Sequence, residues 1–180
     1  KIRKTRYGQL YWSSLVQKRN HVVCRYKLIM TQIDPKSKGT YILILQLKNM
    51  KQITIGRLRE IKFSRGYYAY VGSAFGPGGL NSRVNHHRQT PKKRFHWHID
   101  YLREEAELKQ VWVSDHEENL EHEWASILSH ITIKPIAKFG CSDCKCESHL
   151  FYFKTMGFMK DFKEIIAEKN YRIKTFQNLP

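Results

Sequence analysis

Arg83 and His87 stand four residues apart, behind two aromatic segments that carry Tyr41 and Tyr70. On a helix that spacing puts the arginine and the histidine on one face. A guanidinium presents a planar fork to the non-bridging oxygens of a phosphate. An imidazole holds or moves a proton near neutral pH. Tyrosines on neighbouring strands can offer their hydroxyls to the same pocket. These groups suit the hydrolysis of a phosphodiester, and what they lack is a cation to polarise the phosphate and a carboxylate to hold it. Taken one at a time, the same residues have plainer readings. Tyr67, Tyr68 and Tyr70 are common strand aromatics, and Arg83 with His87 is a common solvated helix face.

The elements that must position these groups follow from the apolar pattern. Thr40–Leu47 is a short run rich in Ile and Leu, and reads as a strand. A turn at residues 48–51 leads to a second strand, Gln52–Gly56, and Glu60–Ser64 alternates as a third. Arg65-Gly66 breaks the pattern before the aromatic strand Tyr67–Gly72. The glycine-rich loop 73–79 precedes a helix over Leu80–Gln89, which places Leu80 and Val84 toward the core, and Pro91 stops it. Phe95–Leu102 has mixed period, and if extended it would put His98 and Asp100 on one face. Gln110–Val113 reads as a strand, Glu117–His130 as a helix, Ile131–Ala137 and Leu150–Phe153 as strands, and Asp161–Glu168 as a short helix. The fold class expected is α/β, or α+β: a small, mostly antiparallel central sheet flanked by helices. The organisation expected is a basic appendage over residues 1–29, a domain over 30–155 and a helical extension over 156–180.

Composition narrows the partner. The chain has 180 residues, 41% of them hydrophobic, enough for one buried core. Lys and Arg total 32 against 16 acidic residues, a formal charge of +16. That excess favours a polyanion, and a nucleic acid fits it best, with binding that weakens steeply with salt. No apolar run approaches the length of a membrane span, and the first stretch lacks the apolar segment of a signal peptide. Cys141, Cys144 and Cys146 fall within six residues. This crowding suits thiolates or a metal better than disulfides, and implies a reducing, cytoplasmic setting. With His149 they form a candidate Zn²⁺ set, although four ligands from one short loop would be sterically tight.

Four ordered motifs, Gly39–Tyr41, Gly66–Ala74, Trp97–Leu102 and Phe139–Leu150, together with Arg83 and His87, resemble the GIY-YIG nuclease superfamily, and within it a small branch. The resemblance runs over about residues 38–153. It implies that Tyr41 or Tyr70 activates or positions the attacking water. Arg83 would clamp phosphate, His87 would handle a proton, and Gly72 would be a close-approach glycine beside the pocket. It also implies that one glutamate on a later helix is the sole protein ligand of Mg²⁺ or Mn²⁺; Glu121 matches best, and Glu123 is the second choice. Ser73 stands where the excision-repair type has a lysine, and His96 or His98 lies where homing-type members place a histidine, so these three are candidates for substrate contact. Thr40 replaces an isoleucine. The function implied is a metal-dependent endonuclease, with DNA favoured over RNA and a protein partner as one source of specificity. Two alternatives stay open: an inactive nucleic-acid-binding module of the same fold, and a zinc-stabilised interaction module.

Overall fold

A computed structural model of the chain describes residue 34 and residues 36–177. The expected appendage, its boundary at Met30, and Cys24 lie outside the described residues. The described residues form a six-stranded sheet with helices on both faces, and a separate two-stranded hairpin.

The central strand is β1, Thr40–Leu47, and its apolar run from Tyr41 to Leu45 explains its place. A strand buried on both faces needs no polar alternate positions. Its residues divide by parity. Tyr41, Leu43, Leu45 and Leu47 enter one core, and Ile42 and Ile44 enter the other. β1 pairs antiparallel with β4, Gly66–Ser73, and with β5, Glu107–Ser114. β7, Leu150–Phe153, adds to β4, and a two-residue strand β6, Lys134–Pro135, adds to β7. β2, Lys51–Thr54, and β3, Glu60–Phe63, pair only with each other. Neighbours in sequence are therefore not neighbours in the sheet at this point. β1 meets β4 directly, and the polar hairpin between them stands aside while Ile53, Ile55, Ile61 and Phe63 pack on the first core.

Helix α1, Gly79–Arg88, and helix α2, His98–Glu105, cover one face; helix α3, Glu121–Ile131, and helix α4, Phe158–Glu168, cover the other. The mixed period over residues 95–102 resolves as a helix from His98 onward. Ile99, Leu102 and Ala106 recur at helical spacing on the core side, and the Asp100 carboxylate accepts the N–H of Trp97 just before the helix starts. His98 and Asp100 therefore do not share a strand face. Residues 156–177 are more than a helical extension. α4 seals the second core with Phe158, Phe162 and Ile166, and β8, Lys174–Gln177, joins the sheet beside β5.

Candidate active site

The two layers meet at one end of the sheet. Tyr41 opens β1, Gly72 and Ser73 close β4, Arg83 faces them from α1, and Glu121 begins α3. Together they line a cavity of about 390 Å³. Tyr70, Trp97, Asn119, Asp143, Cys144 and His149 complete much of its wall.

Tyr41 is bonded to His87. The hydroxyl lies 2.8 Å from His87 Nε2, and both side chains are buried. His87 Nδ1 makes no hydrogen bond, and Asp100 Oδ1 lies 3.8 Å from it. A carboxylate on that side favours the Nδ1–H tautomer, which leaves Nε2 as an acceptor, so the Tyr41 hydroxyl donates. Burial pushes His87 down from its ordinary 6.5 to about 3, against the opposing pull of Asp100. The imidazole is therefore neutral at any working pH. Burial also raises Tyr41 well above the usual phenol range, with Tyr70 adding to the rise and Arg83 opposing it. Tyr70 is likewise raised, chiefly by burial.

Asp100 anchors this arrangement. Burial disfavours its charge, but the backbone N–H groups of His96 and Trp97 and the Lys92 ammonium outweigh that and hold its carboxyl below the usual range. His86 Nε2 lies 3.1 Å from the same carboxylate. His86, His87 and Asp100 could in principle hold a metal. Lys92 Nζ, 3.3 Å from Asp100, already supplies the positive charge there, so a cation would meet repulsion.

Arg83 stacks on the indole of Trp97, its guanidinium carbon 4.4 Å from the ring centroid. Stacking occupies the flat face and leaves the edge N–H groups for an acceptor in the cavity. Gly72 pairs with Tyr41 across the β1–β4 ladder. A Cβ at Gly72 would lie 2.4 Å from the Tyr41 ring and hydroxyl. The close approach that needs this glycine is thus to Tyr41. Gly72→Ala is expected to displace the tyrosine and to cost about 1–3 kcal/mol, as overpacking does, measured by urea unfolding.

Glu121 is placed by Thr40. The Thr40 hydroxyl accepts the N–H of Leu120 at 3.0 Å and donates to Asn119 Oδ1, which also accepts the N–H of Glu121. The Thr40 hydroxyl thus ties the segment that leads into α3 to the first strand, and Asn119 caps the helix start. Glu123 faces elsewhere. It accepts the Tyr171 hydroxyl at 2.8 Å and pairs with Lys169 at 2.9 Å. His96 and His98 do not line the cavity: the backbone N–H of His96 donates to the Asp100 carboxylate, and His98 Nδ1 accepts the N–H of Gly140. Ser73 does line it.

The cysteine segment holds a group that could bind a metal, but not the four residues expected. His122, Cys144, Cys146 and His149 bring one ligand atom each within 4.8 Å of one another. Cys141 lies outside that set: it is buried, its thiol donates to the Phe139 carbonyl at 3.4 Å, and burial, with Cys144 beside it, pushes that thiol up to about 12. His122, from α3, takes the remaining place. Its signal in the sequence was only its position beside Glu121.

The profile of a family described as "Domain of unknown function DUF123" matches residues 40–171. The chain belongs to that family. The match spans every residue of the cavity wall named above. No curated protein and no solved structure matches the chain.

Proposed function

We propose that the cavity hydrolyses phosphodiester bonds of nucleic acid, DNA ahead of RNA, as a GIY-YIG-type endonuclease that uses Mg²⁺ or Mn²⁺. The observation that carries this is the convergence of a buried Tyr41–His87 pair, a stacked arginine and the Glu121 carboxylate on one cavity. Each of the roles that hydrolysis needs then has a residue.

A single carboxylate with water suits a hard divalent cation, and Glu121 stands on the cavity wall at the start of a helix. When bound there, the ion would polarise the phosphate and stabilise charge on the leaving oxygen. Arg83 binds a non-bridging oxygen through the edge left free by Trp97. Tyr41 spends its hydrogen on His87, so its oxygen lone pairs face outward and accept a hydrogen bond from the attacking water. That water is thereby oriented toward phosphorus; as its oxygen bonds to phosphorus and the bond to the leaving oxygen breaks, its proton passes to solvent and the leaving oxygen takes one from solvent. His87, held near 3, is a poor proton sink; its task is to fix the Tyr41 hydroxyl. For the separate thiolate–imidazole group the ion we propose is zinc.

The test is a nicking assay on supercoiled plasmid, branched DNA and structured RNA, with Mg²⁺, with Mn²⁺ and with EDTA. Metal-dependent cutting of a DNA substrate is the expected result, with binding that weakens steeply as salt rises. Salt-sensitive binding without cutting under any of these conditions would leave a binding module.

A further inference from the structure

We propose that His122, Cys144, Cys146 and His149 form a closed tetrahedral zinc site whose His149 imidazole holds the Glu121 carboxylate in place. The second half of this rests on the nuclease reading; the first half does not.

The geometry is that of a ligand set drawn together. His122 Nδ1 lies 3.2 Å from Cys146 Sγ, and Cys144 Sγ lies 3.5 Å from His149 Nε2. Zinc bonds of about 2.3 Å to sulfur and 2.0–2.1 Å to nitrogen put tetrahedral neighbours about 3.3–3.8 Å apart. The widest separation in the set is within 4.8 Å, so a small inward movement closes it. Two segments distant in sequence contribute, α3 and the loop, which relieves the crowding of a one-loop site. Backbone hydrogen bonds tie both ends of the loop to each other and to the sheet. Lys138 N–H donates to the Glu147 carbonyl, His149 N–H to the Phe139 carbonyl, and the His149 carbonyl accepts from Val71 in β4. His122 is exposed, so an ion has a way in.

Two thiolates and two imidazoles select zinc over Mg²⁺ or Mn²⁺. Four protein ligands leave no open position, so this ion would brace the structure and take no part in the chemistry.

His149 connects the two centres. Its ring is buried, and Nδ1 makes no hydrogen bond. Glu121 Oε1 lies 3.3 Å from that nitrogen, near enough to bond but out of alignment. A metal on Nε2 would require the Nδ1–H tautomer, which puts the proton on the nitrogen that lies 3.3 Å from Glu121 Oε1. Carboxylates behind metal-bound histidines commonly play this part. Glu121 also lines the cavity. Glu121 would then belong to both centres.

Metal analysis of the full chain, purified with reductant and without chelator, decides the first half. One zinc per chain is expected. Cobalt substitution should give thiolate-to-metal charge-transfer bands and the visible bands of a tetrahedral ion. Cys144→Ser should lose the metal, and Cys141→Ser should keep it. Zinc well below one per chain after reconstitution, or equal loss in both variants, would overturn the site. If Cys144→Ser is insoluble, chelation of wild type followed by circular dichroism and metal release replaces it. Glu121→Ala is expected to weaken zinc retention about 10–100-fold, the usual cost of removing such a partner. Unchanged retention would overturn the coupling and leave the zinc site standing. Because none of these readouts uses cleavage, an absence of nuclease activity would not be mistaken for an absence of zinc.

Discussion

Glu121→Ala should abolish metal-dependent cleavage, by about a thousandfold or more, while DNA binding stays equal or tightens slightly. The size follows from what a metal supplies, several kcal/mol of charge stabilisation in the transition state, with each 1.36 kcal/mol worth about tenfold in rate. The direction of the binding effect follows from charge. Glu121 brings a negative group to a cavity that receives a phosphate, and its removal lessens repulsion. Asp143 provides the comparison, because its carboxylate also reaches the wall. It is exposed, sits in the cysteine loop, and lacks the capping contacts that fix the start of α3. Asp143→Ala should therefore reduce cleavage far less. Single-turnover rates beside binding titrations would separate the two. If the Asp143 variant is dead and the Glu121 variant cuts, the metal is held by the loop, and the role given to Glu121 is wrong.

Much of this arrangement could be read from the sequence because its parts depend on strong local patterns. β1 and β4 are apolar or aromatic runs bounded by turn residues, and the core positions Leu80 and Val84 oriented Arg83 correctly. What escaped was set by tertiary context. β8 has one core residue, Phe176, in a polar segment, so nothing local separates it from a loop. α2 was obscured by three aromatic or imidazole side chains ahead of it, although Ile99 and Leu102 carry the helical period. The metal group was misassigned in one member, since three cysteines in six residues look equivalent on paper. Only the folded loop decides that Cys141 spends its thiol on the Phe139 carbonyl and stays outside the set of four. The helix α3 then supplies His122 as a side effect of placing Glu121, and adjacency of that kind has no signature along the chain. Tyr41 and Tyr70 had to be left as alternatives for the same reason. Both face one cavity, and the 2.8 Å bond to His87 is what distinguishes Tyr41.

Tyr41→Phe is expected to reduce the rate about 10²-fold with little change in substrate affinity, the size of effect that a misplaced reactant produces. Phenylalanine keeps the ring that Gly72 makes room for, so the fold should survive. It removes both the hydroxyl that orients water and the partner of His87 Nε2. The pH profile tests the same assignment from another side. His87 is held near 3 by burial, so the rate should show no imidazole inflection near 6.5 that belongs to this residue. An inflection there that disappears in His87→Gln would mean that the ring is solvated in the working enzyme, and that it acts as a base after all. Stability carries the opposite signature. In the unfolded chain His87 takes up a proton near 6.5, but in the folded chain it resists until about 3. Its favourable contribution is thus fully present above about pH 6.5 and is lost as pH falls toward 3. Asp100, also held below its ordinary value, adds to the loss at the acid end. Urea unfolding across that window should show the steepest fall for wild type and a shallower one for His87→Gln. A parallel pair of curves would show that the Tyr41–His87 pair is not buried as described, and the orientation argument for the attacking water would fail with it.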